Sequence, residues 1–92
     1  MDSREIADLI EYEIENVIKQ GYNRLYMNVD DCENGCGFLR LLAMIGPKYI
    51  IVFDGIFPLT VCYEVLSLLK MSQYEIKDFT TGGDKLWIYG HH

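Results

Sequence analysis

The chain is short of nearly everything that announces chemistry. Its two histidines, His91 and His92, are the last residues and read as a tag remnant. That leaves no imidazole inside the chain for a Ser-His-Asp set or for general-base work. There is no glycine-rich phosphate loop and no dinucleotide fingerprint. Eight basic residues face fourteen acidic ones, a net charge of −6. No basic stripe offsets that charge, which excludes nucleic acid as a direct ligand. No apolar run approaches the roughly 18 residues of a membrane span, and Arg4, Glu5 and Asp8 exclude a signal peptide. Three cysteines, an odd and sparse set, suit a reducing cytoplasm better than a secreted disulfide scaffold. The expectation is a cytoplasmic protein with no membrane contact.

What is present is apolar. Half of the 92 residues are hydrophobic and 24% are charged, the balance of a folded chain. Such a length predicts a single domain over 1–92, burying a little over about 60% of its unfolded surface. Charge is uneven. Among the first 20 residues Asp2, Glu5, Asp8, Glu11, Glu13 and Glu15 stand against Arg4 and Lys19. They read as the solvated face of a helix.

Residues 3–20 fit that helix, with Ile6, Ile10, Ile14, Val17 and Ile18 along one stripe. Asp2 and Glu5 have capping-box spacing, and Gly21 is a left-handed stop. RLYMNV (24–29) reads as a strand and GCGFLRLLAMI (35–45) as a second helix, closed by Gly46-Pro47. KYIIVF (48–53) reads as a strand central in the sheet or covered on both faces. Pro58 opens a third helix running to about Met71. YEIKDF (74–79) and KLWIY (85–89) flank TTGGD as a β-hairpin. The order α-β-α-β-α-β-β predicts a small α/β domain. Its four-stranded mixed sheet would hold three parallel strands and a C-terminal hairpin.

Chemistry concentrates in VDDCENGCGFL (29–39). Cys32 and Cys36 lack the second pair of ligands that structural zinc requires, and their spacing is not that of a redox motif. A disulfide between them is conceivable if both lie on one turn. Cys36, at the amino end of a predicted helix, would have its thiolate favoured by the dipole and opposed by Asp30, Asp31 and Glu33. The plainer reading is a helix cap at Asp31 or Asn34, with glycines permitting close packing. Cys62 shares a helical face with Val65, Leu66 and Leu69 and is expected to be buried and inert.

Three family resemblances attach to these residues. Residues 24–90 resemble the TusA-like sulfur carriers, with Cys36 where that family's persulfide cysteine opens its first helix. The family motif is Cys-Pro-x-Pro and this chain reads CGFL. Residues 3–76 resemble a STAS domain, the anti-sigma-factor antagonist fold. NGCGFLRLL stands for its Ser-Gly-Leu-Gly stretch and DGIFPLTV for its Gly-x-x-Pro-x-Val. Asn34 occupies the place of the phosphorylated serine. PKYIIVFDGIFPLTVCYEVLSLLK resembles a response-regulator receiver, which implies Asp54 as phosphoacceptor and Asp30 and Asp31 as the magnesium-holding pair.

Three functional expectations follow. The first is a non-catalytic protein-interaction or regulatory domain, suggested by the missing catalytic sets and by seven tyrosines and one tryptophan, residues favoured at interfaces. Its contact, to a protein partner or a homodimer, would run through Trp87 and Tyr89 if the closing strand is a sheet edge. The second is a sulfur relay using Cys36. The third is Mg²⁺ held by Asp30, Asp31 and Asp54, with Asp30 and Asp54 at one edge of the sheet.

Overall fold

A computed structural model describes residues 2–69 in full and the backbone of residues 74–78 and 85–89. Helix α1, Ser3–Lys19, forms where the sequence separates its faces. Glu5 N–H donates to Asp2 Oδ1 at 2.9 Å and Asp2 N–H to Glu5 Oε1 at 3.3 Å, a complete capping box. At the other end Gly21, at φ 100°, donates to the Ile18 carbonyl, and Tyr22 donates to that of Val17. This pair of bonds is a Schellman stop, and it turns the chain into the first strand.

Strand β1, Arg24–Asp31, is followed by a single 3-10 turn over Glu33–Gly35 and then by β2, Cys36–Ile45. The expected second helix is therefore a strand. Asn34 and Gly35 both adopt positive φ, 64° and 73°. Two left-handed residues in succession reverse the chain, and Cys32 N–H donates to the Cys36 carbonyl across the reversal. β1 and β2 then pair antiparallel from Arg24↔Met44 to Asp31↔Gly37. Leu, Arg, Ala and Met in residues 39–44 favour helix intrinsically. Ladder hydrogen bonding and burial of Leu39, Leu41 and Ala43 override that preference.

Gly46 and Pro47 do not end a helix either. They are the two-residue connection to β3, Lys48–Pro58, with Ile45↔Lys48 the first pair. Gly46 at φ 54° followed by a proline held at negative φ is the chemistry of a glycine-first hairpin turn. β3 is longer than the expected strand, and it is an edge strand, not a central one. Its register shifts where Leu41 faces Phe53 and Leu42 faces Ile51, leaving Val52 as a bulge. Further along, the Phe57 ring lies over Gly55 toward Phe53, with ring centroids 6.2 Å apart.

Pro58 caps helix α2, Leu59–Leu68. Beyond it come β4, Tyr74–Asp78, and β5, Lys85–Tyr89, which pair antiparallel with each other. The predicted end of this helix near Met71 and the TTGGD connection lie outside the described residues. β5 also pairs antiparallel with β1, Leu25 opposite Trp87. The sheet order is β3-β2-β1-β5-β4, with every neighbouring pair antiparallel. This corrects the expected sheet of three parallel strands. The architecture rests on a three-stranded antiparallel meander, β1-β2-β3, and the reason is the pair of hairpin turns where a crossover helix was expected.

Both helices lie on one face of the meander. The fully enclosed side chains are Ile6, Ile10, Leu25, Met27, Leu39, Leu41, Cys62 and Val65. Alternation along β1 and β2 sends Leu25, Met27, Val29, Leu39, Leu41 and Ala43 toward the helices. Gly37 makes the closest approach possible: a Cβ there would stand 2.9 Å from Leu59 Cδ2 and 3.0 Å from Cys62 Sγ.

Candidate functional site

No described helix lies on the other face of the meander. Register aligns its side chains in rows across β1, β2 and β3: Arg24–Met44–Tyr49, Tyr26–Leu42–Ile51, Asn28–Arg40–Asp54 and Asp30–Phe38–Ile56. The rows arise because β2 carries apolar residues on both faces, while the bulge at Val52 resets β3. Ile50, Val52 and Phe53 then pack against the core while Tyr49 and Ile51 turn outward. Tyr49 is 66% exposed, Ile51 52% and Ile56 62%. Large apolar side chains in that state, on adjoining positions of one sheet face, are a candidate binding surface.

Arg40 sits in the middle of this face. Its guanidinium carbon lies 4.8 Å from the centre of the Phe38 ring, a cation–π contact between neighbours two residues apart on one strand. Its Nε is buried and has no hydrogen-bond partner. Asp54 is directly opposite on β3 and exposed. Arg24, at the corner, reaches the Gly46 carbonyl at 2.6 Å and fastens the β2–β3 turn. A shallow groove of about 490 Å³ borders the face, between Glu13, Val17 and Gln20 of α1 and Ile50–Val52 of β3.

The residues singled out from sequence fall elsewhere. Cys36 begins a strand and pairs opposite Pro58, so no helix of its own favours its thiolate. It is partly exposed, as is Cys32, and both are free thiols with no disulfide between them. Cys62 is buried among Val65 and Leu69 as expected. Its Sγ lies within weak hydrogen-bond reach of the carbonyls of Gly37 at 3.7 Å and Phe57 at 3.8 Å, and its single S–H can donate to one of them at a time. Desolvation raises its pKa above the ordinary thiol value, outweighing the lowering effect of the Phe57 backbone contact.

The three aspartates do not converge. Asp30 and Asp31 are successive strand residues and point to opposite faces. Asp30 is level with Ile56, while Asp54 is level with Asn28 in the middle of β3, two strands away. From strand spacing and rise their Cα atoms are roughly 12 Å apart. A shared sheet edge for Asp30 and Asp54 requires β3 to end at Asp54, and it continues to Pro58. Among the described residues no group of three or more His, Cys, Asp or Glu side chains is placed to hold a metal ion. Trp87 and Tyr89 belong to β5, which lies between β1 and β4 and is not an edge. Their side chains lie outside the described residues.

No family model, curated protein or solved structure matches the chain. The sulfur-carrier and STAS resemblances both require a helix after Cys36, where this chain has β2. No described helix is long and apolar enough to cross a membrane. The open face is hidden in the sequence because Phe38 and Leu42, four residues apart, also fit one side of a helix together with Leu41 and Ile45. Asn34-Gly35 is the available signal: that dipeptide between apolar runs is a strong hairpin mark.

Proposed function

We propose that the protein is a non-catalytic interaction domain whose working surface is the open face of the β1-β2-β3 meander. The observation that carries the reading is the exposure of Tyr49, Ile51 and Ile56 on a face that no described helix covers. An exposed isoleucine gains nothing for the isolated fold, and its burial against a partner gains about 25 cal/mol per Å² of apolar area. The polar row of the same face, Asn28–Arg40–Asp54, brings together an amide, a guanidinium and a carboxylate, a set suited to hydrogen bonding across an interface.

The test is site-specific photo-crosslinking in the cells that make the protein. A benzophenone side chain at position 56 should give discrete adducts, and one at position 15, exposed on α1, should not. Equal or absent adduct formation at the two positions would reject the open face as a binding surface. A parallel Ile56→Lys variant should keep the melting temperature of the wild type within a few degrees. A large loss of stability would mean that the face is covered within the chain.

A further inference from the structure

The occupant of the open face follows from its charges. The chain as a whole is strongly acidic at −6, and much of that charge sits on α1, in the helical layer. The described open face carries Arg24 and Arg40 against Asp30 and Asp54 and is neutral. A basic partner would find its match on α1, and an acidic one would find no surplus of cation on the sheet. A neutral apolar face with one central cation and an anion beside it is complementary to itself.

We infer that the open face binds a second copy of this chain, β2 of each protomer lying over β3 of the other, so that Arg40 of one meets Asp54 of its partner. This rests on reading the open face as a binding surface. The register supplies the geometry. A two-fold axis running along the strands between β2 and β3 carries each β2 position onto the β3 position of the same row. Row for row, Arg40 then faces Asp54, Leu42 faces Ile51, and Phe38 faces Ile56, each contact made twice by symmetry. Sheets packed face to face are about 10 Å apart, a gap filled by the side chains of the two facing layers together. Within β2 and β3 the pair is flanked by Leu42 and Ile51 on one side and by Phe38 and Ile56 on the other, so water is removed from around it. Arg40 is only partly buried, so the exposed part of its guanidinium can take the partner carboxylate as an acceptor. Guanidinium and carboxylate are the side chains best matched for such a forked contact.

The test uses two charge reversals and their mixture. The wild type should sediment at twice 10.7 kDa at high micromolar concentration. Arg40→Asp places two carboxylates in each contact row, and Asp54→Arg places two guanidinium groups there. Each variant alone should associate at least about tenfold more weakly than the wild type. Mixed in equal amounts, the two should form a heterodimer, because both contact rows then pair opposite charges across the two-fold. Restoration of a contact within one chain cannot produce that result, since each partner keeps its own like-charged row. Circular dichroism checks that each variant is folded; if a reversal unfolds the chain, Arg40→Gln and Asp54→Asn replace them, and each should weaken association. A wild type that stays at 10.7 kDa, variants that dimerise as the wild type does, or a mixture that stays monomeric would each overturn the inference. A monomeric wild type whose position-56 adducts have the mass of another protein would overturn the self-pairing and leave the proposed function standing.

Discussion

Gly37 of β2 and Cys62 of α2 are in such close contact that no side chain fits between them. A Cβ built on Gly37 would lie 3.0 Å from Cys62 Sγ, with Leu59 Cδ2 at 2.9 Å and Val29 Cγ1 at 3.1 Å. The glycine sets how closely α2 approaches the sheet. Gly37→Ala should therefore destabilise the fold by about 1–3 kcal/mol through overpacking. Chemical denaturation measures the loss. Adding Cys62→Ala to Gly37→Ala should cost less than the sum of the two single changes, because the smaller side chain vacates part of the clash. Additive losses would show that Leu59 or Val29 controls the approach instead.

The thiols should separate by burial. Brief alkylation of the folded protein is expected to modify Cys32 and Cys36 and to leave Cys62 untouched, read by peptide mass spectrometry. The raised Cys62 pKa gives stability a direction with pH. In the unfolded chain the thiol ionises at its ordinary value, while in the fold it remains neutral to higher pH. Its contribution is complete below the unfolded pKa and is lost as pH rises toward the folded one. Cys62→Ala should remove this alkaline part of the pH–stability profile, and an unchanged profile would show that the thiol contributes none of it.

The β1–β2 turn tests the backbone. A Cβ added to Gly35, at φ 73°, would have no atom within 4 Å, so any cost of Gly35→Ala is conformational. It should be about 1–2 kcal/mol. Asn34→Gly should be nearly neutral at φ 64°, and Asn34→Val should cost more than either. Thermal melts of the three variants give the ranking. Equal effects would mean that the turn is not held in its left-handed form.

Millimolar Mg²⁺ should leave the melting temperature where it is. Asp31 points away from the face that holds Asp30 and Asp54, and those two lie in different rows, so no ion is held by all three. A rise of several degrees would require a binding site that the register does not provide.

Legibility differs along the chain for physical reasons. Helix α1 is plain because one stripe holds its isoleucines, the acidic residues hold the rest, and both caps have sequence signals. Residues 35–45 mislead because a strand with apolar residues on both faces loses its period of two. Leu39, Leu41 and Ala43 serve the core while Phe38, Leu42 and Met44 serve the open face. A surface kept apolar for contact and a core-facing row look alike in one dimension. Residues 48–53 hide their character for a related reason, since the bulge at Val52 breaks the alternation that would have marked an exposed strand. Of the candidate positions, only the burial of Cys62 is readable, because its neighbours at helical spacing are all apolar. The open face needs the pairing register, which no local pattern carries.

The bulge at Val52 has one more consequence. Lys48–Pro58 is a long strand whose outer edge pairs with no described strand, the kind of template on which identical chains stack without end. A strand broken in its phase offers no uninterrupted ladder: an incoming chain in register with residues 53–57 is out of register with residues 48–51. The irregularity divides a hazardous edge into two short ones, with Lys48 at one end and Pro58 at the other. Growth along the hydrogen-bonding direction should thereby stall at Val52, so that added chains pair over short runs only.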